Sequence, residues 1–378
     1  MNTKNWPRVG IVGDGQLARM LALAAAPLGI ETVVFGSPKS PAGQVTSVIE
    51  GDFRDAQDLA RFCKDGGASV VTTEFEDANP EGLLAIQASG TPVWPDPRVT
   101  IQIKDKFKQK VLLTAAGVPT CRHVEISEIE DVHRFAEEVG YPVVLKARHG
   151  SYDGTGNRVV RTPNEVEAIY KELTATKGAF YAEAHVAFEY EAAIIFARNA
   201  SGEIQMYDPV VTTQQNGVCA HVEYRSSLIS PSVDRQAREL ATKLIERLQP
   251  VGVTAIEFFV DADGSVLFNE MAPRVHNSGH LTIEASTTSQ FTNHLLAILD
   301  LPLGRCGMME AAMVNVLGRN TQAITVPPVG LLEAASKDGS CHWYGKAEAR
   351  PGRKLGHITV LGPDALYRAL TIRESIKL

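Results

Sequence analysis

The segment Thr254–His280, TAIEFFVDADGSVLFNEMAPRVHNSGH, decides how this chain is read. Two apolar runs, TAIEFFV and SVLFNEM, flank Asp261–Gly264, so the segment predicts an antiparallel hairpin. With the turn centred there, Glu257 is expected opposite Phe268, and side-chain alternation puts Glu270 on the same face as Glu257. Two carboxylates on one face of otherwise apolar strands are costly without a counter-cation. Magnesium takes one or two protein carboxylates and completes its shell with nucleotide phosphates. The plainer alternative pairs one glutamate with a lysine and leaves the other exposed. The hairpin is followed by Arg274 and then by His-Asn-Ser-Gly-His, where a strand end needs only a turn. Two ligands of different chemistry are therefore expected to meet at this segment.

Upstream, RVGIV, IETVVFG and ASVVTTEFE read as strands, separated by the helical patterns GQLARMLALAAAPLG and DAQDLARFCKDGG. This β-α-β-α-β order predicts a parallel sheet in a first domain, residues 1–103, closed by the proline-rich GTPVWPDP. Residues 104–187 read as a small α+β unit. It opens with one helix over IQIKDKFKQKVLLTAAGVP and carries the Gly-rich HGSYDGTGN between two strands. Residues 188–378 are strand-rich, broken by the helix DRQARELATKLIERLQ, with RPGRKLGH leading into a last strand.

The first Gly-rich loop, Gly13-Asp14-Gly15-Gln16-Leu17-Ala18, fits a phosphate approach at a helix N-terminus. The second strand ends VVFGS, without the acidic residue that a dinucleotide ribose requires, so a tight turn or a monophosphate site fits better. Glu74 and Glu76 end the third strand, and alternation sends both to one side. Lys106 and Lys146 suit phosphate oxygens, and the strand backbone beside Glu183 suits an adenine edge; a solvated charge is the plain reading of either lysine. Lys346, Arg350, Arg353 and Lys354 cluster around one loop and resemble an anion pocket, or else an ordinary charged loop. Arg274 joins them only if the fold brings the two segments together.

With 378 residues, 44% of them hydrophobic and 21% charged, the chain has the composition of an ordinary globular protein. A formal charge of -7 argues against a general nucleic-acid surface and leaves room for a local basic pocket. The five cysteines form no C-x-x-C pair and no metal-ligand spacing, which fits a reducing compartment. The N-terminal segment is too short and too interrupted to span a bilayer and lacks a signal-peptide layout, so a cytoplasmic protein without a membrane association is expected.

Taken together, GDGQLARM, SYDGTGN, NEMAPRVHNSGH, TSQF and RPGRKLGH resemble the N5-carboxyaminoimidazole ribonucleotide synthetase family of ATP-grasp enzymes, in order from about Val9 to Val360. The resemblance implies a Rossmann-like N-terminal domain, a small lid and a larger domain carrying the metal. It implies ATP-dependent carboxylation of 5-aminoimidazole ribonucleotide by bicarbonate in purine biosynthesis, through carboxyphosphate, by a homodimer using ATP and Mg2+. Carried onto this sequence, ATP would be held by Lys106, Lys146, Ser151, Tyr152, Asp153, Gly154, Thr155, Gly156, Asn157, Glu183, Ala184, His185, Val186, Glu191, Gln214, Asn269 and Glu270. Glu257 and Glu270 would bind the metal. Gln16, Glu74, Arg274, Asn277, Ser278, Lys346, Arg350 and Arg353 would surround the ribonucleotide, with Tyr152, Asp153 and Lys354 at the reacting carbon. The chain departs from the family pattern at Asp14, at Thr155 where a cation is usual, and at Gln214 where a histidine is common. A paralogue acting on a related amine, or a nucleotide-binding protein with little turnover, are the competing readings.

Overall fold

The computed structural model describes residues 7–150, 156–225, 227–324, 326 and 328–375. Its first sheet is wholly parallel, in the order Ser47–Ile49, Glu31–Phe35, Arg8–Val12, Val70–Thr73, Val93–Trp94. The two short outer strands escape the sequence pattern because three and two residues carry too little periodicity to register. Strand order reverses at Arg8–Val12, so the C-terminal ends of Arg8–Val12 and Val70–Thr73 flank the crevice where such sheets place ligands. Helix Gln16–Ala25 buries Ala18, Leu21 and Ala25 in a core shared with Phe291 and Leu295 of helix Gln290–Ile298. That shared core fixes the first sheet against the C-terminal part of the chain.

The single helix expected over residues 101–119 is two helices, Pro97–Lys104 and Lys106–Ala115. Asp105 divides them. Its backbone is extended, and its carboxylate accepts from the N–H groups of Phe107 and Lys108, as an N-cap does. Arg148 clamps the same carboxylate from the neighbouring sheet. Lys106 thereby becomes the first residue of a helix whose start is pinned on two sides.

The second sheet is antiparallel, in the order His123–Glu125, Phe180–Ala184, Val143–Ala147, Asn157–Val160. Helices Ile129–Val139 and Val166–Lys177 cover one of its faces through Val132, Phe135, Val166 and Leu173. The large sheet runs Val266–Ala272, Gly252–Asp261, Phe188–Arg198, Val210–Gln215, Val218–Tyr224, Ala311–Leu317, Lys354–Leu361, Ser340–Trp343. Strands Ala311–Leu317 and Ser340–Trp343 and the final helix Ala365–Glu374 extend beyond the strands and helix read from the sequence. Their consequence is functional, because they place the acidic hairpin and the cation-rich loop on one continuous sheet.

The hairpin forms, with a different register from the one expected. Phe258 pairs with Phe268, and the ladder then shifts so that Glu257 pairs directly with Glu270. The extra residue, Asn269, makes a β-bulge. Glu257 therefore faces Glu270 and not Phe268. Without the bulge the register would set Glu257 against Asn269 and turn Glu270 to the other face. Phe258 and Phe268 are instead buried against helix Pro231–Leu248, through Leu240 and Leu244.

Candidate active site

The site is built from its nucleotide end. Lys146, on Val143–Ala147, pairs with Glu183 on Phe180–Ala184 at 2.7 Å and donates to Oδ1 of Asn269 at 3.0 Å. Glu183 is 2% exposed and also pairs with Lys110 at 3.1 Å. Burial opposes its ionisation, yet the charges of Lys146 and Lys110 hold it well below the usual carboxylate range. Lys110 is a positioning residue that the sequence reading missed. It sits one helical turn after Lys106 in a lysine-rich helix, and only its burial distinguishes it from a solvated neighbour. The Glu183 carboxylate is thus engaged by lysines, and the backbone beyond Ala184 is what lies beside it. Asn157 sits opposite Lys146 across the ladder, with Gly156 just before it. Ser151, Tyr152, Asp153, Gly154 and Thr155 lie outside the described residues.

Glu257 and Glu270 come next, keeping 21% and 39% of their side-chain area exposed. Lys106 donates to Glu270 at 2.6 Å. Burial pushes Glu257 up, as do the charges of Glu270 and then Glu191, so that it holds its proton well above the usual carboxylate range. Burial acts the same way on Glu270, but Lys106, followed by Lys146, holds it low. Glu191, on Phe188–Arg198, is also raised by burial, and its carboxylate meets the amide of Gln214 across the sheet. Three carboxylates share Lys106 and Lys146, the second already paired with Glu183, so the site is short of positive charge. Among the described residues no group of three or more His, Cys, Asp or Glu side chains is placed to hold a metal by itself. A metal here would need oxygens from its other ligand.

Beyond Ala272 the chain turns toward the first sheet. Arg274 pairs with Glu76 at 2.9 Å. The His276 imidazole meets the Ser278 hydroxyl at 2.9 Å through Nδ1, while Nε2 lies 3.7 Å from Glu257. Burial, followed by the charges of Arg274 and Lys354, lowers its pKa to about 3, so the ring is neutral at ordinary pH. Arg274 and Lys354 thus both lie within electrostatic reach of one imidazole. The Asn277 amide is buried in a reciprocal pair with Asn315, at 3.0 and 2.7 Å, which commits it to the floor of the site and leaves only its second N–H for a ligand.

Glu74 departs most from expectation. The third strand of the first sheet stops at Thr73, so alternation does not extend to Glu74 and Glu76. Glu74 turns inward and accepts from the N–H groups of Gly15 at 2.5 Å and Ala18 at 2.9 Å. Its carboxylate occupies the helix N-terminus that the Gly-rich loop offers to an anion. A Cβ at Gly13 would come within 2.4 Å of the Glu74 side chain, and one at Gly15 within 2.9 Å. The glycines therefore admit a carboxylate, which is a structural lock and not a dinucleotide site. Asp14 is part of the same lock, accepting from the Ser37 N–H at 2.8 Å.

A cavity of 1110 Å³ opens between the cation-rich loop and the end of strand Ala311–Leu317, with the start of helix Gln16–Ala25 at its edge. Gln16, Asn315, Lys346, Arg350, Arg353 and Lys354 line it, together with Arg319 and Arg373. Lys346 donates to Gln16 at 2.5 Å and to the Lys354 carbonyl at 2.7 Å, tying the loop to the first helix. Arg350 pairs with Glu348 at 2.6 Å, and Arg353 donates to the Glu348 carbonyl at 3.1 Å.

Fold and site together define an ATP-grasp protein, and the sequence model of the ATP-grasp domain matches residues 111–291. The ribonucleotide synthetase preATP-grasp domain matches residues 7–104, and the phosphoribosylaminoimidazole carboxylase C-terminal domain matches residues 311–367. The chain belongs to the N5-carboxyaminoimidazole ribonucleotide synthase family. A member from Mycobacterium tuberculosis is 38% identical, across 95% of this chain and 84% of its own. The synthetase structure from Thermus thermophilus is 36% identical with a TM-score of 0.85, covering 97% of both chains. The enzyme from Aspergillus clavatus, in complex with ADP and 5-aminoimidazole ribonucleotide, is 31% identical with a TM-score of 0.88, covering 98% of this chain and 100% of its own.

Proposed function

We propose that this protein carboxylates 5-aminoimidazole ribonucleotide with bicarbonate, consuming ATP and giving N5-carboxyaminoimidazole ribonucleotide, ADP and phosphate in purine biosynthesis. One observation carries this reading beyond the family. The strand Val266–Ala272 and the residues after it join a cation-poor carboxylate pair to a cation-rich cavity, so a metal-bound nucleotide and an anionic second substrate can meet at His276. A bicarbonate-dependent ADP-release assay, with and without 5-aminoimidazole ribonucleotide, tests it directly. ADP release that the ribonucleotide does not alter would overturn it.

In this reading Lys106, Lys146, Gly156, Asn157, Ala184, His185, Val186, Glu191, Gln214 and Asn269 bind ATP, and Glu183 aims Lys146 at the phosphates. Glu257 and Glu270 would hold Mg2+, which supplies charge neutralisation for the transferred phosphoryl group. The deficit of positive charge around Glu257 supports that assignment. A bicarbonate oxygen attacks the γ-phosphorus and ADP leaves, giving carboxyphosphate. Loss of phosphate from carboxyphosphate frees carbon dioxide, which forms a bond to the exocyclic amine as that nitrogen loses a proton. Neutral His276 and Ser278 face the junction where carboxyphosphate would form, and Lys354 offsets charge on the carboxylate product. On resemblance alone, the loop Ser151 to Thr155 is assigned to ATP, and Tyr152 and Asp153 also to the reacting carbon. Gln16, Arg274, Asn277, Lys346, Arg350 and Arg353 surround the ribonucleotide, and Glu74 shapes its pocket through the first loop.

The same reading divides the chain into residues 1–103, 104–187 and 188–378 and makes the protein a cytoplasmic homodimer acting on small molecules, without nucleic-acid or membrane partners. Its net charge of -7 supports the exclusion of nucleic acid. None of the described helices is long and apolar enough to cross a membrane.

A further inference from the structure

The residues lining the large cavity include six basic side chains, Arg319, Lys346, Arg350, Arg353, Lys354 and Arg373, and no acidic one. Such a surface is unexpected in a chain that carries seven more acidic than basic groups, 44 against 37. The near wall is the loop already described, where Lys346, Arg350 and Arg353 each hold a protein partner. The far wall differs. Arg373 comes from the last turn of helix Ala365–Glu374, beyond residue 367 where the match to the C-terminal domain family stops. Its Nε is buried and has no hydrogen-bond partner. No acid pairs with Arg373 among the described residues, and the His221 imidazole is disfavoured from protonating first by burial and then by the Arg373 charge. A helix C-terminus favours an arginine through its dipole, but that does not satisfy a buried guanidinium N–H. Arg319, exposed at the end of strand Ala311–Leu317, stands on the same cavity.

We propose that Arg373, with Arg319, forms a second oxyanion subsite on the far wall of this cavity, a receptor for a phosphate group. The argument is one of charge and hydrogen bonding. A planar guanidinium presents a fork of donors matched to phosphate oxygens, and Arg373 lines a cavity that has no carboxylate in its lining. Gln215 and Asn216, in the lining of the same cavity, add neutral side chains able to hydrogen-bond the remaining oxygens. Two sources supply a phosphate group here. One is the ribose phosphate of the substrate, spanning from the near loop to the far wall; the other is inorganic phosphate set free in the reaction. The inference rests on the carboxylation reading only for the first source.

The test uses the full-length enzyme, its Arg373→Gln and Arg373→Lys variants, and Arg319→Gln. Steady-state constants are measured with 5-aminoimidazole ribonucleotide and with its nucleoside, alongside calorimetric titration of inorganic phosphate into the resting protein. If the substrate's phosphate is held, Arg373→Gln raises KM for the ribonucleotide by at least about tenfold, the loss of one charge-assisted hydrogen bond. KM for the nucleoside and kcat stay in place, and Arg373→Lys recovers part of the effect. If released phosphate is held, KM is unchanged while calorimetric phosphate binding and product inhibition weaken together. An Arg373→Gln protein that keeps wild-type constants and phosphate affinity overturns the proposal, as does equal loss for nucleotide and nucleoside. Absence of ribonucleotide-dependent turnover in the wild type would sink the carboxylation reading but leave the calorimetric arm intact.

Discussion

Glu257 and Glu270 stand directly opposite each other across the hairpin ladder, brought into register by the extra residue Asn269. Their environments then divide them. Lys106 keeps Glu270 ionised, while Glu257, half-buried beside that charge, holds its proton.

Replacing either residue by Gln should remove ADP release while leaving the fold intact, since each change keeps the side-chain volume and deletes one anionic ligand. Turnover together with circular dichroism reads both halves. Near-normal activity of both variants at ordinary magnesium concentration would refute the metal assignment.

Glu257 also sets a pH dependence for the ligand-free protein. Its folded pKa lies above its unfolded value, so the native state binds the extra proton between the ordinary carboxylate range and about 8. Stability should therefore fall as pH rises through that window, the opposite of the usual salt-bridged carboxylate. Denaturant midpoints from pH 5 to 9 should show this slope, and Glu257→Gln should flatten it.

Lys110 and Glu183 are 1% and 2% exposed, so removing one partner strands a buried charge. Lys110→Met should cost about 3–5 kcal/mol of stability, and adding Glu183→Gln should recover part of it. The single variant should also raise KM for ATP, because Lys146 loses a carboxylate fixed on both sides. Equal ATP affinity in the two proteins would mean that the pair serves only the fold.

Glu74 closes the first loop by accepting from Gly15 and Ala18. Glu74→Ala should lower stability by about 1–3 kcal/mol, since two N–H groups are left in a cramped, buried place. Asp14→Gly, which gives up one N–H bond from Ser37 at a more exposed position, should cost less. Thermal melts of the two variants rank the contributions, and a larger loss for Asp14→Gly would contradict the lock described here.

If Arg274 and the loop from Lys346 to Lys354 hold the phosphate of the second substrate, charge-assisted hydrogen bonds are lost when it is removed. The nucleoside should bind more weakly than the nucleotide by at least about 1.5–3 kcal/mol. Competition binding with both compounds measures the difference, and equal affinities would assign the pocket another role.

The sequence by itself determined the alternating first sheet, the Gly-rich loops, the acidic hairpin and the presence of a basic loop in an acidic chain. Each is a local pattern, set by periodicity, by glycine, or by charge within a dozen residues. What the tertiary structure decided is every matter that turns on distant partners. Asn269 bulges because Phe268 and Met271, three residues apart, are both buried in the same core, and that bulge, not simple alternation, brings Glu257 face to face with Glu270. Glu74 is a lock and not a free ligand because the turn after Thr73 carries it to Gly15, 59 residues earlier in the chain. Lys110 differs from Lys106, which meets Glu270, in being buried against Glu183 on strand Phe180–Ala184. Arg373 lines the cavity only because helix Ala365–Glu374 packs on the strands Ala311–Leu317 and Lys354–Leu361. A residue type and its spacing announce which chemistry is available, and packing at long range settles which side chains are already satisfied and which remain for a ligand.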